Sequence, residues 1–313
     1  MIAFVFPGQG AQKVGMGKAL AEQFSICRET FEEADAALGE PLSRLCFEGP
    51  EDRLLLTENT QPAILAVSVA ACRLVESQGV RASFAAGHSL GEYSAYVAAG
   101  TIAFADALRT VRRRGQFMQE AVPVGEGAMA AVLGLDAEPL ASACANASAE
   151  LPGRVVAPAN LNAPGQIVIA GHADAVARAG ELAKAAGAKR VIALAVSAPF
   201  HSALMKPAEE RLTPVLRALA VHDPRIPVVA NVDAEPKRSA ADAIDGLIRQ
   251  VASPVRWEDV VRRLLADGVR TFVELGPGTV LSGLIRKIDR GATAMNVEEP
   301  GGLTALEALS AGN

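Results

Sequence analysis

The segment Gly87-His88-Ser89-Leu90-Gly91-Glu92 has the spacing of a serine nucleophile. Glycines two positions before and after Ser89 let a strand and a helix pass closely at a sharp turn, the nucleophile elbow. Apolar residues 83–86 precede the motif, and residues 93–100 follow it with helical spacing. The serine would project at a helix N-terminus, where unpaired N–H groups stabilise the oxyanion of an acyl transfer. The pattern predicts a catalytic serine, and an ordinary tight turn is the alternative.

A serine hydroxyl needs a base, and the chain has four histidines. His88 adjoins Ser89, and neighbouring side chains at a strand end point in opposite directions, so it is a poor partner. His201 follows Pro199 in a rigid, irregular segment of the kind that presents side chains, and it is our candidate base. Between Ser89 and His201 no acid stands in a convincing strand-end turn, where an α/β-hydrolase triad requires one. A Ser-His dyad whose histidine is oriented by a neutral carbonyl is therefore an alternative to a triad. The absence of the acid counts against a standard esterase.

The helix predicted over residues 104–122 carries three consecutive arginines beside one apolar stripe. At about 100° per residue, Arg113 falls opposite the stripe, whereas Arg112 and Arg114 fall on its two borders. A border arginine can lay its stem along apolar surface and direct its guanidinium into a cleft. Helical periodicity does not choose between Arg112 and Arg114, and a solvated charge is the alternative for each.

The elements around these residues predict an α/β fold. An apolar run over residues 2–6 ends at a loop, 7–12, in which two glycines around Gln9 let backbone N–H groups approach a ligand closely. A plain turn is the alternative for that loop. Alternating strands and helices after residue 226 again favour a parallel sheet.

Between residues 126 and 197 the predicted elements follow the order β-α-β-β-α-β, the split motif of ferredoxin-like domains. We therefore expect a hydrolase-like parallel-sheet domain formed by residues 1–125 and 198–313, with residues 126–197 as a ferredoxin-like insert. The Gly- and Ala-rich tail after Val297 is expected to be frayed.

The composition excludes several classes of protein. A formal net charge of −5 argues against nucleic-acid binding. The longest apolar stretch, residues 62–72, is too short to cross a bilayer, and the N-terminus lacks the basic region and cleavage site of a signal peptide. Four widely spaced cysteines without C-x-x-C predict reduced core thiols rather than a metal site. We expect a cytoplasmic monomer, since no exposed apolar repeat or heptad indicates assembly.

Taken together, these segments resemble the malonyl-CoA:acyl-carrier-protein transacylases. The matching blocks keep the family order and cover nearly the whole chain. They are FPGQGAQ at 6–12, GHSLGE at 87–92, RGQFMQ at 114–119, NLN at 160–162, PFHS at 199–202, Gln250 and ELGPG at 274–278. The resemblance implies a hydrolase-like α/β domain with a ferredoxin-like insert, which is the layout that the residues predict independently.

By position, the resemblance implies that Ser89 is the nucleophile and His201 its base. Gln250 would hold the imidazole through its backbone carbonyl, which accounts for the missing acid. The N–H groups of Gln9 and Leu90 would form the oxyanion hole.

The resemblance also implies which residues bind the substrate. Arg114, rather than Arg112, would pair with the free carboxylate of the malonyl group. Asn160, Asn162 and Phe200 would be further substrate-binding residues. The ring of Phe200 resembles the malonyl-selective pattern of related acyltransferases, in which it leaves no room for a 2-methyl branch.

The implied reaction is a ping-pong transfer of malonyl from malonyl-CoA, through a malonyl-serine, to the phosphopantetheine thiol of acyl carrier protein. No permanently bound cofactor is implied, and fatty-acid synthesis is the expected pathway. A stand-alone acyltransferase serving a polyketide synthase is the alternative. A serine thioesterase is disfavoured by the missing acid and the arginine, and a non-catalytic docking module by the joint presence of nucleophile, base and oxyanion loop.

Carrier proteins are usually acidic, so the resemblance leads us to expect a local basic face. Two sets of residues are candidates, and a solvated surface is the alternative for each: Lys184, Lys189 and Arg190, or Arg286, Lys287 and Arg290.

Overall fold

The computed structural model describes residues 1–196 and 198–310, and within them the chain forms two sheets. The larger sheet has the strands β1 (Ile2–Phe6), β2 (Phe84–Gly87), β7 (Val228–Val229), β8 (Pro236–Lys237), β9 (Thr271–Leu275) and β10 (Thr293–Val297). Their order is β10-β9-β1-β2-β7-β8, and neighbours are parallel except for β8, which runs antiparallel to β7. The predicted parallel sheet is confirmed.

Helices cover the larger sheet. They are α1 (Lys18–Gln23), α2 (Ser25–Leu38), α3 (Leu42–Glu48), α4 (Glu51–Leu54), α5 (Thr57–Ser77), α6 (Leu90–Ala98), α7 (Phe104–Glu120), α10 (Lys206–Arg217), α11 (Ala240–Gln250), α12 (Trp257–Ala266), α13 (Val280–Ile288) and α14 (Pro300–Ser310). Helix α5 is buried almost all round because apolar residues occupy every face of it. None of the helices in the described ranges has the length and apolar character needed to span a membrane.

The smaller sheet belongs to the segment that we expect as an insert. Its elements are β3 (Gly127–Leu133), α8 (Ala137–Glu150), β4 (Val156–Ala163), β5 (Gln166–His172), α9 (Ala173–Ala185) and β6 (Arg190–Ala193). The strands pair antiparallel in the order β4-β5-β3-β6, and the two helices share a separate core with them. This arrangement confirms the ferredoxin-like fold. The domain boundaries stay a prediction, and Ser197, the expected last residue of the insert, lies outside the described residues.

The parallel strands place three loops at one edge of the sheet. The loop 7–12 follows β1, the elbow follows β2, and Asn231 follows β7, and these strands are neighbours. In parallel sheets ligands bind beyond the carboxyl ends of the strands. Strand β4 reaches the same region, because the Leu161 N–H donates to the Val255 carbonyl and the Val255 N–H donates to the Ala159 carbonyl, both at 2.8 Å.

The expectation of a frayed tail is wrong over residues 300–310, which form α14. Glycine and alanine supply little side-chain packing, but Leu303 and Leu306 lie in the main core and stabilise the helix. Strand β10 has no counterpart in the sequence prediction. Its polar residues obscure the pattern, and its parallel pairing with β9 stabilises it.

Candidate active site

The elbow depends on its two glycines. A Cβ atom on Gly87 would lie 2.0 Å from the Gly91 backbone, and one on Gly91 would lie 2.0 Å from the Phe6 carbonyl oxygen. Between them Ser89 has φ 51° and ψ −105°, a strained backbone for a residue with a side chain. Any larger residue at either glycine would separate β2 from α6 or α6 from β1, so the turn that projects Ser89 requires both.

Ser89 and His201 form a hydrogen-bonded pair. The Ser89 Oγ lies 2.6 Å from His201 Nε2, and His201 Nδ1 lies 3.1 Å from the backbone carbonyl oxygen of Gln250. A carbonyl oxygen only accepts hydrogen bonds, so Nδ1 carries the ring proton and Nε2 can accept the serine proton. This is the geometry of a nucleophile with a base that a neutral carbonyl orients.

The imidazole of His201 is neutral at pH 7. Burial first, and then the positive charge of Arg114, lower the pKa of His201 to about 3. The hydrogen bond to the Gln250 carbonyl opposes these effects without overcoming them. A neutral imidazole is the form that can accept a proton from serine.

The structure separates the three consecutive arginines. Arg114 is 1% exposed and points into the site, whereas Arg113 is exposed, as the helical periodicity predicts. Arg112 bonds instead to Glu40 and Asn59, away from the serine.

The Arg114 guanidinium is held by neutral groups. Nη1 donates to Gln61 Oε1 at 2.9 Å, and Nη2 donates to Gln250 Oε1 at 2.8 Å and to Ser89 Oγ at 3.2 Å. Its centre lies 5.5 Å from the centroid of the Tyr93 ring. None of these partners carries a formal negative charge, so the cation retains its attraction for an anion beside the serine.

The predicted oxyanion-hole residues flank the serine. Leu90 is the first residue of α6, so its N–H has no acceptor within the helix. Gln9 lies in the loop 7–12, and its backbone N–H donates to no backbone oxygen among the described residues. A Cβ on Gly8 would lie 2.4 Å from the His88 carbonyl oxygen, so this loop packs directly on the elbow. Both assignments stay predictions.

The remaining predicted substrate-binding residues lie around the site. The Asn162 side chain bonds to His88, with Oδ1 2.8 Å from Nε2. Asn160 is buried on β4, where it forms a bridge with Val255. Phe200 is buried in the main core immediately before His201. Asn162 thus joins the smaller sheet to the elbow, and roles in substrate binding stay predictions for all three.

Three site residues were missed at the sequence level: Gln61, Glu92 and Asn231. Each is buried, and each hydrogen-bonds to a predicted residue or its neighbour. Signals for them did exist. Gln61 is a polar residue in an apolar helix, Glu92 belongs to the elbow motif itself, and Asn231 follows a strand of the parallel sheet. Across the described residues no group of three or more His, Cys, Asp or Glu side chains is placed to hold a metal ion.

The chain is similar to known acyltransferases along nearly its whole length. The profile of the acyl transferase domain matches residues 3–300. The malonyl CoA-acyl carrier protein transacylase of Bacillus subtilis strain 168 is 53% identical over 299 residues, covering 96% of this chain and 94% of that protein.

Solved structures agree with this similarity. An acyl carrier protein S-malonyltransferase from Vibrio cholerae has a TM-score of 0.95 and 49% identity, covering 97% of this chain and 99% of that chain. A malonyl-transacylase in complex with its type II PKS acyl-carrier protein has a TM-score of 0.95 and 48% identity, covering 98% of this chain and 99% of that chain.

Proposed function

The chain belongs to the acyl transferase domain family, and on that premise we propose that it transfers malonyl from malonyl-CoA to the phosphopantetheine thiol of an acyl carrier protein. The observation that carries the proposal is a buried guanidinium, that of Arg114, 3.2 Å from the hydroxyl of the candidate nucleophile. An acyl group that ends in a carboxylate complements this cation, and an unsubstituted acyl chain does not.

In the first half-reaction Ser89 Oγ attacks the thioester carbonyl carbon while His201 Nε2 takes its proton. The 2.6 Å separation of these atoms supports the roles of nucleophile and base. The C–S bond then breaks, the proton passes from His201 to the departing CoA sulfur, and a malonyl ester remains on Ser89. The N–H groups of Gln9 and Leu90 would stabilise the oxyanion, at about 3 kcal/mol for each donor.

In the second half-reaction the phosphopantetheine thiol of the carrier protein replaces CoA. His201 removes the thiol proton, the sulfur attacks the ester carbonyl, and the Ser89 oxygen leaves with the proton from the imidazole. Gln250 keeps the same ring nitrogen available in both directions, because its carbonyl oxygen accepts from Nδ1–H.

Arg114 selects the acyl group. A guanidinium has five N–H donors, and three hydrogen bonds to Gln61, Gln250 and Ser89 leave two for the malonyl carboxylate. Pairing of the carboxylate with Arg114 would also offset the positive charge that lowers the pKa of His201, so the base strengthens when the correct substrate binds.

The remaining features follow from the same proposal. The enzyme holds no permanent cofactor, acts in the cytoplasm and docks its acidic carrier protein on an exposed basic surface. Both candidate sets, residues 184–190 and 286–290, have their cations exposed. We propose Phe200, Asn160 and Asn162 as residues that shape the acyl pocket. Fatty-acid synthesis is the proposed pathway, and polyketide synthesis is the second candidate because one similar structure holds a type II PKS carrier protein.

Intact-protein mass spectrometry tests the proposal. Brief mixing with malonyl-CoA should add one malonyl group that maps to Ser89, and holo-carrier protein should then remove it. Ser89→Ala should show no adduct. An adduct that decays equally fast in plain buffer would identify a hydrolase, and a folded protein that forms no adduct would refute the proposed acyl group.

A further inference from the structure

A carboxylate that takes no part in the proposed reaction is buried behind the nucleophile. Glu92 lies on α6 three residues after Ser89 and is fully buried. Its Oε2 accepts two hydrogen bonds at 2.9 Å, from the Asn231 backbone N–H and from Gln250 Nε2. A buried carboxylate is costly unless it has such partners, so its presence calls for a role.

One partner of Glu92 holds the turn at Ser89. The Asn231 side chain accepts from the Ser89 N–H through Oδ1 and donates to the Gly87 carbonyl through Nδ2, both at 2.7 Å. These two hydrogen bonds hold the backbone on both sides of the strained turn. Glu92 accepts from the Asn231 backbone N–H, so the position of the Asn231 side chain depends on the carboxylate.

The other partner holds the arginine. Gln250 Nε2 donates to Glu92 Oε2 and, at 3.0 Å, to the Ser89 carbonyl oxygen. Both of those groups are acceptors, so the amide nitrogen must face them and the amide oxygen must face Arg114. That oxygen accepts from Arg114 Nη2 at 2.8 Å. The backbone carbonyl of Gln250 separately orients His201, so its side chain and its backbone serve different residues.

We propose that Glu92 is a positioning residue that directs Arg114 through the Gln250 amide and the Ser89 turn through Asn231, and thereby sets the preference for carboxylate-bearing acyl groups. This inference rests on the proposed function. Oε1 of Glu92 has no partner in the described part of the chain, so a proton on that oxygen leaves Oε2 available as an acceptor. Burial raises the pKa of Glu92 to about 7, and the contacts made by Oε2 are available to either form of the carboxyl.

Because only Oε2 of Glu92 accepts hydrogen bonds from the described residues, Glu92→Gln is the conservative variant. Its carbonyl oxygen can accept both hydrogen bonds, whereas Glu92→Leu removes the acceptor. A suitable control is Glu274→Leu, which removes another buried glutamate, whose oxygens accept from the backbone N–H groups of Leu281 and Ser282 on α13. A loss of malonyl-over-acetyl preference that follows only from removing a buried carboxylate would appear in both leucine variants.

The experiment measures the rate of Ser89 acylation by malonyl-CoA and by acetyl-CoA, together with the thermal midpoint of each variant. Glu92→Leu should narrow the malonyl-over-acetyl preference about tenfold or more, because a hydrogen bond to a charged group is worth at least that factor. Glu92→Gln should stay within about threefold of the unaltered protein, since its acceptor is retained. Glu274→Leu should lower the midpoint and leave the preference unchanged.

Gln250→Met provides a second route that does not require Glu92→Leu to fold. It keeps the backbone carbonyl for His201, removes the amide that links Glu92 to Arg114, and should narrow the malonyl-over-acetyl preference on its own. Where Glu92→Leu folds, the double variant should lose little more preference than either single variant, because both act through one contact. A folded Glu92→Leu with the original preference would overturn the proposal, and so would Glu92→Gln as impaired as Glu92→Leu. Failure of the proposed function would appear in the unaltered protein, which would form no malonyl ester.

A crystal structure of Glu92→Leu gives a readout that does not depend on activity. The distance from Arg114 Nη2 to Ser89 Oγ, 3.2 Å here, should lengthen beyond hydrogen-bonding range. An unchanged arginine in that structure would contradict the positioning role.

Discussion

Replacement of Arg114 by alanine should abolish most of the discrimination between malonyl and acetyl groups. The guanidinium is almost fully buried, and its partners are the oxygens of Gln61, Gln250 and Ser89. A malonyl carboxylate can form two charge-assisted hydrogen bonds with it, whereas an acetyl group forms none. At about 1.5–3 kcal/mol for each bond, the difference is roughly 3–6 kcal/mol, or about 10²- to 10⁴-fold in acylation rate.

Part of the effect should be common to both substrates. Arg114 also donates to Ser89 Oγ, and its removal leaves the two glutamine oxygens without their cation. That loss, about 1–3 kcal/mol, slows acylation by malonyl-CoA and acetyl-CoA alike. The ratio of the two rates therefore isolates the contact with the carboxylate, and the absolute rates report the contact with the serine.

The assay is rapid-quench mixing followed by intact-protein mass spectrometry, with each acyl-CoA in turn. Arg113→Ala is the matched control, because Arg113 is the preceding residue of α7 and its side chain is exposed. It should retain the original rates and preference. An Arg114→Ala enzyme that kept its full preference for malonyl would show that another group binds the carboxylate.

Three further results are expected. His201 has its pKa lowered from 6.5 to about 3, so its contribution to the free energy of unfolding is complete above pH 6.5 and is lost as the pH falls towards 3. Urea unfolding of His201→Gln should show a smaller loss over that range, and an unchanged slope would contradict the assignment. Phe200→Val should increase acylation by methylmalonyl-CoA relative to malonyl-CoA, measured as competing adducts. Charge reversal of both basic sets, within residues 184–190 and 286–290, should raise KM for carrier protein and leave the rate of Ser89 acylation by malonyl-CoA unchanged. An unaltered KM would exclude both surfaces as docking sites for the carrier protein.

The sequence alone determined the local chemistry of this protein. The glycines at 87 and 91 define the elbow because the close approach of strand and helix excludes every other side chain there. The order of the elements also predicted the α/β class and the ferredoxin-like segment, since hydrophobic periodicity depends on residues that are near in sequence. Helical periodicity left Arg112 and Arg114 as the two arginines that could point into the site, and the family resemblance chose Arg114.

Only the tertiary structure decided which distant residues complete the site. Asn231 bonds to Ser89 across 142 positions, and Gln250 bonds to Glu92 across 158, contacts that no local pattern encodes. They exist because β7 pairs with β2 and because the end of α11 reaches the elbow. The positions of Glu92 and Asn231, in the elbow motif and after a strand, are visible in the sequence, but their partners are not. Their roles emerge when burial excludes water and leaves each amide and carboxylate with only the partners that the fold supplies.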